Sequence, residues 1–592
     1  MNNPDCSSHH FLGYWSLKPE HQLSVRLNRI VQEKPHLYPS SRPTPSNVNW
    51  DVRYTGIKDN FTHRTGDFIA GISVSGLANA EAWVRVEANH LILGREPFGR
   101  VPLYWISIEE AIWFSTQIKL LIPLIESPRV NWAGLYGYTC FSYIPTPLTS
   151  VDQIFAVPAG CELIFPPDKS IDNPHKYIIK NPYQWQEKKP KIREEREAIL
   201  QLRTLLKNAI HRQIENLPSE PVGVFLSGGI DSATVAALLV QCGIKVRAYT
   251  LDFGEKDLSE IPHAEQVAKF LNIPLIKVSA TPDRIKKSLV ETVRALDIPF
   301  GDGVTAPLYL LNQAARQDVS IVFNGEGGDQ LFAGWTNKPM IAALTYGGFN
   351  PSFSENKVDF TRQYLQTFHR LYGCEGQVFS PSVRAKIEEI NPDFWLQDAL
   401  KLEYCSELLH RLRRASLMLK GAQNIHPRAT NLALNQGLNL RSPFCDLPLA
   451  EWTFQLPGEF YLQGSCEKYI LKRAVEDWLP PEIVWREKRG MGVPLTLWCV
   501  NQLWSEVGYW LNSGVLQAEG RFIPDLAMRV IRGNLGGYMR GRRIGEILWL
   551  LMIWQIWRTT VLGESATNRS QIHPFLLPYW WWKWRFQSQE ET

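Results

Sequence analysis

The stretch Gly223-Val224-Phe225-Leu226-Ser227-Gly228-Gly229-Ile230-Asp231-Ser232 constrains this chain more than any other. An apolar run, a Ser-Gly-Gly turn, an acidic residue and a serine lead into the helical run 233–241, which predicts a strand, a tight turn and a helix start. Glycines at 228 and 229 remove side-chain bulk, so consecutive N–H groups can converge on an anion at the positive end of the helix. Ser227, Gly228, Gly229, Asp231 and Ser232 are therefore the candidate phosphate contacts, with Asp231 placed to hold a magnesium ion beside the phosphates. A tight turn with no ligand is the competing reading, and the order of small, acidic and hydroxyl residues between strand and helix weighs against it. No Gly-Lys dipeptide occurs anywhere and no Gly-x-Gly-x-x-Gly follows a strand, which removes support for a kinase-like or dinucleotide loop.

At 592 residues, two to four domains are expected. Residues 1–180 look β-rich: Trp83 to Glu87 alternates as a half-buried strand, and Leu91 to Leu93 continues as another. The segment 94–121 then reads as a turn, a strand and a helix start. A polar, Pro- and Lys-bearing linker is expected at 181–196, followed by a helix over 194–215. Beyond it, apolar runs at 222–226, 246–251, 275–278 and 321–323 alternate with helical runs at 233–241, 261–271, 285–295 and 308–316. That alternation predicts a parallel α/β sheet, whose ligands bind at the carboxyl ends of the strands. This second domain is bounded at 197–562, leaving a Trp-rich tail at 563–592.

A net charge of +4 does not call for nucleic acid as a partner. The clusters Arg411, Arg413, Arg414 and Arg540, Arg542, Arg543 read as solvated helix faces or local anion contacts. Nine scattered cysteines with no Cys-x-x-Cys pair argue against a disulfide framework and a zinc site, and the polar start Met1-Asn2-Asn3-Pro4-Asp5 makes a reducing cytoplasm the expected compartment. Of 22 tryptophans many crowd the end. The run 544–557 carries Glu546 and Gln555 and is too short to span a bilayer, so a buried helix is expected there. For the tail 578–585, packing back on the body is favoured over a membrane interface.

Taken alone, the opening loop leaves tRNA thiolases, sulfur-activating enzymes and amide synthetases open. Asn324-Gly325-Glu326-Gly327-Gly328-Asp329-Gln330-Leu331-Phe332-Ala333-Gly334-Trp335 decides among them, because it resembles the Ser-Gly-Glu-Gly-x-Asp-Glu-x-Phe-x-Gly-Tyr stretch of asparagine synthetases. Glu467-Lys468-Tyr469-Ile470-Leu471-Lys472-Arg473, then Leu479-Pro480 and Trp485-Arg486-Glu487-Lys488, are similar to that family's Glu-Lys-x-Ile-Leu-Arg helix and its sequel. Arg441-Ser442-Pro443-Phe444-Cys445-Asp446 resembles an architectural turn of the same family.

The resemblance implies an ATP pyrophosphatase-type synthetase domain that binds ATP and Mg2+. On it, Asp329 joins Asp231 in holding magnesium, and Glu326 orients the acyl-adenylate or takes a proton from the attacking amine. Lys468 neutralises charge as pyrophosphate leaves. Asn324 and Gly325 let the backbone approach the nucleotide, while Leu226 and Leu251 lie near the adenine. The partners implied are a small-molecule or peptide carboxylate and an amine or ammonia donor.

Gly94-Arg95-Glu96-Pro97-Phe98-Gly99-Arg100-Val101-Pro102-Leu103-Tyr104, with Tyr143 to Thr149 and Val157 to Gly160, resembles the same family's amino-terminal glutaminase. That implies an Ntn-type, glutamine amidotransferase-like sandwich over 1–180. The family's nucleophile is a cysteine at position 2, where this chain has Asn2, and a carboxamide is no nucleophile. No Asn-Gly-Glu occurs between 40 and 80, and Glu96 stands for the family's aspartate. The expectation is a kept fold with glutamine hydrolysis lost. Processing before Cys6 is the counter-reading, and a non-catalytic nucleotide-binding scaffold is the alternative of another class. Macrolactam or β-lactam closure, as in the lasso-peptide cyclases and β-lactam synthetases of this family, stands beside asparagine formation.

Overall fold

In the computed structural model the described residues are 10–16, 21–32, 50–55, 69–72, 80–334, 360–361, 364–365, 371–565, 574–582 and 584, less 88, 110, 167–176, 181, 190–191, 216, 255–259, 488–489, 491, 534 and 536–541. Asn2, Cys6, Trp335, Lys488 and Arg540 lie outside them, as does most of 40–80.

Two five-stranded antiparallel sheets come first. One has the order β2 (Trp50–Thr55), β1 (His10–Ser16), β7 (Ala111–Ser115), β6 (Tyr104–Ile108), β8 (Phe155–Ala156). The other runs β10 (Ile178–Lys180), β9 (Glu162–Phe165), β5 (His90–Arg95), β4 (Ala82–Glu87), β3 (Ile69–Ile72). Alternate side chains meet between them: Phe11, Trp105 and Phe114 from the first sheet pack on Val84, Leu93 and Leu163 from the second. The intervening residues Leu12, Tyr14 and Trp113 are buried too, on the far face, in the core that includes Leu23 and Leu27 of helix α1 (His21–Gln32). This is the expected sandwich, covered on both faces of its first sheet. The helix start read near Ile118 is a pair of 3-10 turns, Ile118–Leu120 and Ile122–Leu124.

The third sheet is parallel, in the order β13 (Leu275–Ser279), β12 (Val246–Asp252), β11 (Val222–Phe225), β14 (Ile321–Phe323), β15 (Asn439–Arg441). Four of these strands match the apolar runs read from sequence. The fifth, β15, was missed because Asn439 and Arg441 flank a single leucine, so no apolar run marks it. From β11 the chain steps outward through β12 and β13 and then returns to the other side of β11 with β14, so strand order reverses between β11 and β14. A doubly wound sheet has its ligand crevice at such a switch point. Both glycine-rich motifs leave from these two adjacent strands.

One sequence reading needs correction. Arg413 and Arg414 are not solvated; both are buried to 0% exposure. Arg413 Nε donates to the Leu331 carbonyl at 2.8 Å and its guanidinium lies over the Phe454 and Tyr461 rings, while Arg414 Nε donates to the Trp185 carbonyl at 2.9 Å. The described part of 181–196 packs on the body: Trp185 is buried, and Glu187 accepts from the backbone N–H groups of Ser406 and Glu407 at 2.7 and 3.0 Å.

The buried helix expected near the end is Arg542–Thr560. Its tryptophans are enclosed yet satisfied: the indole N–H groups of Trp549, Trp554 and Trp557 donate to the Asp302 carbonyl, the Glu519 carboxylate and the Asp297 carbonyl, each at 2.9 Å. Among the described residues no helix is long and apolar enough to cross a membrane.

Candidate active site

The loop after β11 is wound on itself. Ser232, in the first turn of α4 (Ile230–Gln241), reaches back so that its hydroxyl accepts from the Ser227 N–H at 3.2 Å and donates to the Gly229 carbonyl at 3.1 Å. Gly228 adopts φ +72°, and a β-carbon there would lie 2.6 Å from His263 Cβ in α5 (Ile261–Phe270). Its need for glycine thus comes from backbone conformation and helix packing. Gly229, rather than Gly228, lines the crevice.

The loop after β14 comes against this one. A β-carbon on Gly325 would lie 2.7 Å from the Ser232 nitrogen, so only glycine permits the approach. Asn324 is held by the Ser442 hydroxyl, which donates to its Oδ1 at 2.7 Å. Asp329 stands in the first turn of the short helix α8 (Gly328–Leu331).

Between the loops sits Lys468, whose side chain is only 1% exposed. It starts the helix Tyr469–Val475 from a left-handed φ of 55°, which turns the side chain inward. Its ammonium hydrogen-bonds to the Asp231 carboxylate and lies 2.5 Å from Asp329 Oδ1. Asp231, Asp329 and Lys468, some 240 residues apart along the chain at the extremes, are thereby brought to one point.

All three line a crevice of about 1170 Å³, together with Leu226, Ser227, Ser232, Leu251, Asn324, Gly325 and Glu326. Of the nucleotide and catalytic candidates read from sequence, only Gly228 stands off its lining. The crevice also contains charged residues that sequence reasoning did not assign. Arg486 donates to Glu260 Oε1 at 3.0 Å and to the Gly228 carbonyl at 3.3 Å, bracing the first loop from below. Lys472 Nζ lies 3.5 Å from Glu467.

A second wall carries Arg428 and Asp302. Arg428 Nη1 donates to Asp302 Oδ2 at 2.7 Å, and its Nη2 lies 3.9 Å from Glu326 Oε1. The Thr305 hydroxyl donates to Asp302 Oδ1 at 2.7 Å. Burial pushes the Asp302 carboxyl up, but the Arg428 guanidinium and the Thr305 hydroxyl outweigh it and hold the group below the usual carboxylate range.

Ser416, Lys420, Asn424 and Arg428 line this wall at four-residue intervals. Four residues overshoot one α turn by about 40° per step. The segment Leu417–Ile425 is a π-helix, whose wider turn takes up that drift and keeps the polar stripe facing the crevice. The four-residue spacing was visible in the sequence, but nothing local announced the π turn. On the opposite face the same segment meets the sandwich: the Thr146 N–H donates to Gln423 Oε1 at 3.0 Å, and His426 Nδ1 lies 2.8 Å from the Phe98 carbonyl.

The donor set suits a hard cation such as magnesium. Two carboxylates already converge on one ammonium, and oxygen ligands are what such an ion takes. Among the described residues no group of three or more His, Cys, Asp or Glu could hold a metal by itself, so phosphate oxygens would have to complete the shell.

Comparison with known proteins agrees with this geometry. Residues 201–559 match the family model described as asparagine synthase. The chain is 23% identical over 516 residues to asparagine synthetase [glutamine-hydrolyzing] 1 of Bacillus subtilis, covering 82% of this chain and 78% of the relative. A putative asparagine synthetase [glutamine-hydrolyzing] of Mycobacterium tuberculosis is 24% identical over 505 residues, covering 80% and 75%. The solved NH3-dependent NAD synthetase of Campylobacter jejuni aligns over 33% of this chain and 93% of its own at 17% identity, with a TM-score of 0.18, too low to bear on the fold.

The family match makes the chain an ATP-dependent carbon–nitrogen ligase. The chain belongs to the asparagine synthase family.

Proposed function

We propose that the crevice activates a carboxylate as its acyl-adenylate and then forms an amide, with the work divided among its loops. The β11 loop, with Ser227, Gly229 and Ser232, receives the β- and γ-phosphates at the start of α4. The adenine lies against Leu226 and Leu251, and the glycine at 325 lets the nucleotide come close to the backbone. Asp231 and Asp329 would hold magnesium, which supplies charge neutralisation on the phosphates. A substrate carboxylate oxygen attacks the α-phosphorus and pyrophosphate departs, with Lys468 compensating the developing charge. An amine nitrogen then attacks the acyl carbon, AMP leaves, and Glu326 takes the amine proton.

The observation that carries this reading is the convergence of Asp231, Asp329 and Lys468 from two loops and a helix at the sheet's switch point. Four groups suited to adenylation gathered in one crevice also weigh against a non-catalytic scaffold.

Asparagine formation from aspartate is the reading that family membership favours. A second reading, closure of an amide within one larger substrate such as a peptide, is favoured by the crevice: at about 1170 Å³ it exceeds the roughly 300–1,000 Å³ usual for small-ligand pockets. In either case the nitrogen comes from free ammonia or from an amine on the substrate, in keeping with the absence of Asn-Gly-Glu between 40 and 80. We also place the boundary between the sandwich and synthetase domains within 181–196, with a tail from 563.

The test is isotope transfer. A carboxylate labelled with oxygen-18, either aspartate with ammonium or a peptide bearing an Asp or Glu side chain and a free amino terminus, should deliver one labelled oxygen to AMP. Label appearing in inorganic phosphate, or in neither product, contradicts adenylation. Glutamine offered as the only donor should yield no glutamate.

A further inference from the structure

The loop 301–304, which carries Asp302, is pinned on three sides. A β-carbon on Gly301 would lie 2.7 Å from Ser142 Cβ, and the Gly301 N–H donates to the Ser142 carbonyl at 2.9 Å. A β-carbon on Gly303 would lie 2.6 Å from Leu495 Cδ1. Behind the loop the Trp549 indole holds the Asp302 carbonyl, and one turn earlier in the same helix a β-carbon on Gly545 would lie 2.2 Å from the Thr496 nitrogen. Packing this close gives the crevice beside Asp302 a fixed shape.

That part of the crevice is apolar. Phe141, Val304, Leu308, Leu495 and Leu497 line it. Phe141 ends the helix Trp132–Phe141 in the β-rich first part of the chain, and its ring is held 6.0 Å from that of Trp395 and 5.6 Å from that of Tyr143. Leu497 is 42% exposed, so this apolar wall meets water. The charges beside it are balanced: Asp302 and Arg428 bind each other, and Arg543 and Glu546, on either side of Gly545, are opposite in sign and three residues apart.

Asp302 also relates this arm to the chemistry. Its partner Arg428 has Nη2 3.9 Å from Glu326 Oε1, and the residues on either side of Asp302 touch Ser142 and Leu495. The apolar arm therefore opens beside the group assigned to the amine proton, where the acyl carbon has to sit.

We propose that this arm selects a carboxylate substrate bearing a bulky, uncharged apolar group, which Phe141, Leu495 and Leu497 recognise. The position of the reacting carboxylate rests on the acyl-adenylate reading of the crevice. A substrate the size of aspartate leaves the wall in water, whereas an aromatic or branched aliphatic group covers it. Through Phe141 the sandwich takes part in choosing the substrate, a role that needs no glutamine chemistry.

The test compares aspartate, aspartyl-glycine and aspartyl-phenylalanine, the two dipeptides differing only by a benzyl group. Binding to the full chain is read by equilibrium dialysis with Mg2+ and α,β-methylene-ATP, which cannot be split between its α- and β-phosphates. Carboxylate-dependent exchange of labelled pyrophosphate into ATP is read beside it. Aspartyl-phenylalanine should bind at least about tenfold more tightly than aspartyl-glycine or aspartate. Leu497→Asp, at a partly exposed position, should keep the wild-type melting temperature and lose that preference, and Phe141→Ala should reduce it. Equal binding of the two dipeptides, or a preference that survives Leu497→Asp, overturns the proposal. Binding with the expected preference but without exchange for any of the three supports the arm and counts against adenylation alone.

Discussion

Lys468 Nζ lies 2.5 Å from Asp329 Oδ1 and shares itself with Asp231, so one buried ammonium faces two carboxylates of the crevice. Replacing it by methionine leaves them facing each other without a counter-charge. Lys468→Met should lower stability by about 1 to 3 kcal/mol in the absence of metal. Added Mg2+ should raise the melting temperature of the variant more than that of the wild type. Carboxylate-dependent exchange of labelled pyrophosphate into ATP should fall by about a hundredfold or more. Thermal melts with and without Mg2+, beside the exchange assay, check both halves.

Arg428 does for Asp302 what Lys468 does for the first pair. Arg428→Met should cost about 3 kcal/mol, and Asp302→Asn in the same chain should return part of it, because the stranded charge is then gone. Asp302 has a depressed native pKa, so its contribution is present above the ordinary carboxylate range and is lost as pH falls through the lower native value. The gap in melting temperature between wild type and Arg428→Met should therefore be widest near neutrality and close in acid. A double-mutant cycle run at two pH values measures this.

Gly99 links the sandwich to the crevice wall. It adopts φ +64°, and a β-carbon there would lie 2.7 Å from the Ala422 carbonyl in the π-helical segment. Gly99→Ala should destabilise by roughly 1 to 3 kcal/mol. It should also raise KM for the carboxylate substrate more than KM for ATP, since the displaced segment carries Lys420 and Asn424 rather than the phosphate loop. Steady-state kinetics with each substrate varied in turn separates the two.

Much of this was legible in the chain itself. Strands β11 to β14 announced themselves as short apolar runs beside helical ones, and the two glycine-rich loops announced the crevice. Other features had no local signature. The π-helical wall is fixed by packing on two sides, and β15 holds one leucine between an asparagine and an arginine. Arg413 and Arg414 look like any exposed basic pair until tertiary structure closes over them. Gly228 shows the same limit from within a motif: its sequence context is that of a phosphate loop, yet its contact is with α5.

Two buried histidines set an acid limit. Burial pushes His410 down to about 3 and His426 down to about 4, the latter partly resisted by the Phe98 carbonyl. Between those values and about 6.5 the unfolded chain binds protons that the native state refuses, so stability falls as pH drops through that window. His426→Asn should flatten the decline between about pH 6.5 and 4, as read from melting temperature against pH.

On the proposed function this crevice splits ATP between its α- and β-phosphates, with Asp231 at the cation site. Phosphorus NMR of the chain with ATP, Mg2+, ammonium and a panel of amino-acid and peptide carboxylates tests it most directly. AMP and pyrophosphate are expected in equal amounts with at least one carboxylate, and both should fall by about a thousandfold in Asp231→Asn. ADP and phosphate as products, or undiminished AMP from Asp231→Asn, would contradict it.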